Sequence, residues 1–384
     1  MKTKLNLFWF RRDLRLIDNH GLYEALQSEL PVLPIFIFDT NILEKLENKE
    51  DKRVDFIFQA LEKLNEYLEK QGKSIQIFYG KPLEIYENLS QQYEIGNVFC
   101  NEDYEPYAIK RDQEIKDFLA SKNINFYQFK DQVIFQKDEI TKADGKPYTV
   151  YTPYSKQWLL KFNDQNLEFF ASEKKLENLL NIEKQNITLE NIGFKKTNYL
   201  FENPKINLEI LEKYQETRDF PTLETSQMSV HLRFGTFSIR KLVKLASELN
   251  DNTYLKELIW REFFMQILWH FPKVVHHSFK EKYDNIAWEN NEELFQKWCE
   301  GKTGYPIVDA GMRELNETGL MHNRVRMVCA SFLTKHLLTD WRIGEAYFAE
   351  KLMDYDLSAN NGNWQWSAGS GCDAAPYFRV FNPE

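Results

Sequence analysis

Apolar and polar positions change their rhythm twice along this chain. Between residues 1 and 130, short apolar runs recur at Leu5–Phe10, Val32–Phe38, Ile75–Phe78, Asn97–Cys100 and Ile124–Phe129, separated by stretches with helical spacing. In the clearest of those stretches, Val54, Ile57, Phe58, Leu61, Leu64 and Leu68 share one helical face, and the pattern stops at Gly72. Strands alternating with helices predict a parallel sheet covered on both faces. No GxGxxG follows the first run, so the dinucleotide fingerprint is missing there. A Rossmann-like sheet need not bind a dinucleotide.

Residues 131–205 are polar, rich in Lys, Asn and Glu, and weakly periodic. They read as an inter-domain connection with some short helices, since a stretch this long carries structure or function of its own. From 206 onward the spacing is helical, with helices predicted near 206–217, 237–249, 252–269, 292–300, 306–317, 322–337 and 343–353. The expectation is an α/β domain over 1–130, a connection over 131–205, and an all-α domain over 206–384.

Composition narrows the class. The 384 residues are 43% hydrophobic and 28% charged, as in ordinary globular proteins. Aromatics are abundant, with 29 Phe, 19 Tyr and 9 Trp, which leaves tryptophans for stacking sites beyond the core. Four scattered cysteines give no zinc spacing and no disulfide framework, which fits a reducing cytoplasm. The start is too short and polar for a signal peptide, and no apolar run is long enough to span a membrane. Net charge is −9, against nucleic-acid binding over the whole surface. Residues 231–280 nevertheless hold eight Lys/Arg against four Asp/Glu, a local surplus of +4.

Four constellations carry chemistry. Tyr254, Glu257, Trp260 and Arg261 fall on one face of a predicted helix, where buried acid and guanidinium are costly unless paired or bound. This face is either a Glu257–Arg261 surface pair beside a packed indole, or a wall that stacks a flat ligand and hydrogen-bonds its edge. Asn323, Arg326 and Met327 share a second face, with Arg324 beside it, and read equally as caps or solvated groups. Asp354 to Trp366 packs two acids, four amides, a glycine and two tryptophans into thirteen residues; Asn360-Asn361-Gly362 reads as a turn with a residue at positive φ. Thr225 to Arg240 is rich in hydroxyls ahead of a helix, suited to phosphate or to plain capping.

Together these stretches resemble the photolyase/cryptochrome family over nearly the whole chain. Phe8-Trp-Phe-Arg-Arg-Asp-Leu-Arg-Leu16 is similar to the family's opening strand and loop. Glu300 to Arg313, His322-Asn-Arg-Val-Arg-Met327, Asp340-Trp-Arg342 and Asn360-Asn-Gly-Asn-Trp-Gln-Trp366 are similar to its most specific motifs, in the family order. The pattern is nearest to the enzymes that repair cyclobutane pyrimidine dimers; a cryptochrome-type light sensor on the same fold is the alternative. Glu224-Thr stands where Gly-Thr is usual, Tyr254 where near relatives place Trp, and the sequence ends at Phe381-Asn-Pro-Glu384 where relatives continue.

The resemblance implies a Rossmann-like domain followed by a helical domain holding FAD, active in its reduced anionic form. Tyr214 and Tyr254 would pack on the cofactor; Thr225, Ser226, Met228, Ser229 and Arg261 would meet its pyrophosphate. Arg326 and Asp354 would pair beside the isoalloxazine, Asp356 would hold its edge, and Asn360 would face N5. The lesion in damaged DNA would be flipped between Trp260 and Trp366, with Glu257 on its base edges, Met327 against it, and Asn323 near both the lesion and the cofactor. Arg218, Arg324 and Arg379 would hold flanking phosphates. Trp364, Trp341 and Trp288 match the family's electron relay. Asn101 and Glu105 lie where an antenna chromophore would bind, and a folate (methenyltetrahydrofolate), a deazaflavin, a second flavin or no antenna at all are the alternatives. A monomeric cytoplasmic protein with no membrane partner is expected.

Overall fold

A computed structural model describes residues 2–376 and 378–383. The chain divides into two compact units. The first comprises Met1–Ile134, Leu167–Lys205 and Phe234–Leu242; the second comprises Phe135–Asn166, Ile206–Arg233 and Val243–Glu384.

The first unit is built on a five-stranded parallel sheet, ordered β3-β2-β1-β4-β5. Its strands are β1 (Lys4–Phe10), β2 (Val32–Asp39), β3 (Gln76–Gly80), β4 (Glu94–Asn101) and β5 (Asn125–Phe129). The five apolar runs of the sequence are these five strands. Every residue of β2 is buried, and in β1 all but Lys4 are, because a parallel sheet is covered on both faces. Leu5, Leu7 and Trp9 pack on one face against Tyr86, Leu89, Ile115 and Leu119.

A buried charge network fixes the inserted segment Phe234–Leu242 in this unit. Arg240 pairs with Asp18 and Asp131, while Arg15 donates twice to Asp131 at 2.7 Å. Burial alone would raise the Asp131 carboxyl, but Arg15 and Arg240 hold it below its ordinary value. Gly235, at φ 64°, brings its backbone against Arg12, where a Cβ would overlap the Arg12 carbonyl.

The second unit is helical. Its core joins Trp298, Val308, Met312, Val325, Leu333, Trp341, Phe348 and Trp364. Helices form at Thr253–His270, Glu292–Cys299, Pro306–Thr318, Asn323–Lys335 and Trp341–Lys351, close to the periodic stretches read from the sequence.

Three elements differ from the sequence reading. Asn360-Asn361-Gly362 is no turn; it lies inside the helix Leu357–Ala368, whose first turn Asp356 caps by accepting from the Ala359 N–H at 3.1 Å. Gly362 is there for close approach, since a Cβ would overlap the ring of Phe264 on the helix Thr253–His270. Tyr151–Asp164 is a 14-residue helix rather than a short one. Its buried face is written in Tyr151, Tyr154 and Trp158, an aromatic stripe at i, i+3 and i+7. The hydroxyl-rich stretch also contains its own helix, Met228–Phe234, ahead of the expected one at Ile239–Ser247.

Candidate cofactor and substrate site

The second unit encloses a cavity of about 350 Å³, within the range of small-molecule sites. Its wall carries the hydroxyls of Thr225, Ser226 and Ser229, the guanidinium groups of Arg233, Arg261 and Arg326, and the carboxylates of Asp354 and Asp356. Tyr214, Met228 and Tyr254 supply apolar surface, and Asn323, Glu257 and Arg218 also line it. A smaller adjoining cavity of about 90 Å³ shares Asn323, Arg326, Asp354 and Asp356 with the first. It adds Met327, Asn360, Trp364 and Trp366. Four stretches far apart in sequence thus meet at one place.

Local structure explains how. The helix Asn323–Lys335 starts at His322, whose ring nitrogen accepts from the Arg324 N–H at 3.1 Å, and this turns Arg326 toward Asp354. Arg326 donates to Asp354 through both terminal nitrogens, at 2.9 and 3.2 Å, and through Nε to the Met321 carbonyl at 2.7 Å. This fork fixes a positive charge at the cavity wall. Asp356 caps Leu357–Ala368 and faces Arg233 at 3.4 Å. Tyr254 donates to Ser226 at 3.1 Å and meets Tyr214 edge to face at 5.1 Å. Arg261 reaches the Leu232 carbonyl at 3.5 Å, which ties two walls together.

Asn360 is buried, and its amide nitrogen meets Glu345, at 2.8 Å to the carboxylate and 3.1 Å to the backbone carbonyl. Burial raises the Glu345 carboxyl, and the hydrogen bond from Asn360 opposes that. The sequence reading missed Glu345, which lies four residues after Trp341 with no motif to mark it. It also missed Gln227, a cavity residue held at φ 51°. A side chain forced into the left-handed region costs of order 1–3 kcal/mol, and such strain collects at ligand sites.

Among the other expected residues, Trp260, Arg324, Arg379, Trp341 and Trp288 lie apart from these two cavities. Trp260 lines neither; its ring lies face to face on Tyr151, 3.6 Å away and 5° from parallel. Arg324 pairs with Asp219. Arg379 lies in the irregular segment after the last helix, its carbonyl accepting from Lys335 at 2.7 Å and its guanidinium over Phe381. Trp341 and Trp364 are buried in the helical core, and Trp288 packs on it part-buried. Trp298, which the sequence reading left out, lies 6.2 Å from Trp364.

In the first unit, Asn101 is buried at the end of β4 and donates to Asp13 and Asn19 while accepting from the Gly21 N–H. Glu105 pairs with Arg12 at 2.8 Å. Among the described residues, no helix is long and apolar enough to cross a membrane, and no cluster of acid, His or Cys groups is set to hold a metal.

The lining suits FAD. Hydroxyls and arginines match a pyrophosphate, tyrosines match flat rings, and the aspartates match ring N–H groups. Residues 254–384 match the family model for the FAD binding domain of DNA photolyase, and residues 6–173 match that for DNA photolyase. The deoxyribodipyrimidine photo-lyase of Synechococcus sp. is 36% identical over 413 residues, 98% of this chain and 83% of the relative. A crystal structure of a class III photolyase from Agrobacterium tumefaciens superposes with a TM-score of 0.87 at 33% identity, covering 100% of this chain and 83% of that one. A cryptochrome from Synechocystis sp. gives a TM-score of 0.84 at 27% identity, covering 100% and 85%. With its α/β unit, its helical unit and a relative of this identity along nearly its whole length, the chain belongs to the DNA photolyase family.

Proposed function

We propose that this protein splits cyclobutane pyrimidine dimers in DNA using light absorbed by bound FAD. The observation that carries the reading is the Arg326–Asp354 fork beside Asn360, in a cavity whose other wall offers hydroxyls and arginines. Reduced anionic FAD supplies, when bound, a photoexcited one-electron donor.

The chain's own residues do the rest. Thr225, Ser226, Met228, Ser229 and Arg261 hold a pyrophosphate, with Tyr214 and Tyr254 against the ring systems. Arg326 places a positive charge where an anionic ring needs one, and the low-dielectric wall strengthens its pull. Asp356 accepts from a ring N–H, and Asn360 faces N5. Glu257 accepts from the edges of an extruded dimer, while Trp260, Trp366, Asn323 and Met327 pack on it. Arg218, Arg324 and Arg379 meet phosphates and position the strand without reading sequence. Trp288, Trp341 and Trp364 relay an electron inward when the cofactor is oxidised. Glu105 and Asn101 border an antenna site for a folate or a deazaflavin. The protein acts as a cytoplasmic monomer.

The test is the absorption spectrum of the purified protein, followed by illumination with a dimer-bearing oligonucleotide. Bound flavin and light-dependent loss of dimers support the reading. Bound flavin with no loss of dimers favours the light-sensor alternative, for which the cryptochrome likeness speaks.

A further inference from the structure

In this structure Glu257 and Arg218 hold each other. Arg218 Nη1 donates to Glu257 Oε1 at 2.6 Å, and both side chains are 29% exposed. Alternating charge continues from there: Arg218 Nε lies 3.9 Å from Asp219, which also pairs with Arg324. The Arg218 guanidinium sits over the Tyr214 ring at 5.5 Å, so it is held at the cavity rim. Burial pushes the Glu257 carboxyl up, and Arg218 is the main cation that opposes this, with a weaker pull from Arg324.

Resting on the function proposed above, we infer that the Arg218–Glu257 pair discriminates damaged from undamaged DNA, because Arg218 can leave for a phosphate only when base N–H groups replace it on Glu257. Undamaged duplex offers phosphates to Arg218 but no base edge inside the cavity. Moving Arg218 then leaves a part-buried carboxylate without its cation, which disfavours the move by about what the pair is worth. Arg218 stays on Glu257, and the phosphate contact is lost. An extruded dimer brings its own N–H donors, so both exchanges occur together. Glu257 therefore acts twice: it attracts the lesion and it penalises intact DNA. A carboxylate that merely touched the lesion would do only the first.

The two readings separate in paired titrations with and without a single cyclobutane dimer, at matched FAD content. The proteins are wild type, Glu257→Gln, Arg218→Ala and Glu216→Gln. Exchange predicts that Glu257→Gln binds undamaged DNA roughly fivefold more tightly, the size of one such ion pair, and binds damaged DNA more weakly. Arg218→Ala loses affinity for damaged DNA and hardly changes on undamaged DNA. Glu216→Gln removes an equal charge from an exposed acid on the adjoining short helix and leaves undamaged binding near wild type. Unchanged undamaged binding in Glu257→Gln overturns the exchange. So does an equal gain in Glu216→Gln, or equal losses on both DNAs for Arg218→Ala. A wild type with no preference for the dimer overturns instead the functional reading on which the exchange rests.

Discussion

Asn360 turns its amide nitrogen to Glu345, whose carboxylate and backbone carbonyl are both acceptors, so the Asn360 oxygen is the atom left for the cavity. The orientation follows from chemistry, since two acceptors on one side admit only the NH₂ group there. Burial raises the Glu345 carboxyl above the ordinary carboxylate range. A carboxyl raised by folding costs nothing below its unfolded value and opposes folding once pH climbs through the folded value. Glu345→Gln keeps an acceptor for Asn360 and removes the buried charge. The variant is expected to be more thermostable than wild type at pH 8, with the gain shrinking toward pH 5. Thermal unfolding at the two pH values checks this; a gain as large at pH 5 as at pH 8 contradicts it.

Trp364 presses against Gly344 of the neighbouring helix, where a Cβ would overlap the indole and Leu333. Gly344→Ala is expected to cost about 1–3 kcal/mol, the range for overpacking a core. Because Trp364 also lines the smaller cavity, the variant should hold FAD less firmly. Denaturant unfolding and the flavin-to-protein absorbance ratio measure both. Wild-type values for both would mean that the two helices part without strain.

Tyr151 supports Trp260 from behind. Tyr151 donates to the Lys256 carbonyl at 2.8 Å and stacks flat on the indole. With one ring face covered, Trp260 has at most its other face and edge for a ligand. Trp260→Ala is expected to weaken binding of damaged DNA by about 1–3 kcal/mol, the value of one stacked base. Tyr151→Leu should produce part of that loss, and neither should change undamaged binding. Equal losses on both DNAs would make Trp260 a packing residue.

The central strands β1 and β2 were legible because each is a nearly continuous apolar run, the signature of a sheet covered on both faces; the flanking strands carry shorter apolar runs. The helix Leu357–Ala368 was hidden by Asn360, Asn361 and Gly362, poor helix formers that together read as a turn. Tertiary packing on Phe264 overrides that propensity. Arg326 and Asp354 were legible through motifs, whereas Glu345, Asp219 and Tyr151 stand outside any motif. Their places follow from helix packing and side-chain pairing, which spacing along a chain does not encode. The pairing of Arg218 with Glu257 was hidden for the same reason; the sequence offered Arg261 as the nearer cation, at i+4.

The proposed electron relay has two candidate partners for Trp364 in the helical core, Trp341 and Trp298. Trp341 was read from motif order, while Trp298 lies 6.2 Å from Trp364 and donates to the Cys329 carbonyl. Trp341→Phe is expected to block light-driven reduction of oxidised bound FAD while leaving repair by the chemically reduced protein intact. Trp298→Phe should leave both intact. Photoreduction followed by absorbance with one external donor checks the pair; the reverse result moves the relay to Trp298.

Every role proposed for the cavity residues serves dimer splitting. Protein with its FAD chemically reduced is mixed with an oligonucleotide bearing one cyclobutane pyrimidine dimer, and intact dimers are counted after equal times in blue light and in darkness. Dimers are expected to disappear in light, persist in darkness, and leave the two pyrimidines restored in an unbroken strand. Dimers that persist in light while the FAD remains bound and reduced would contradict the proposed repair.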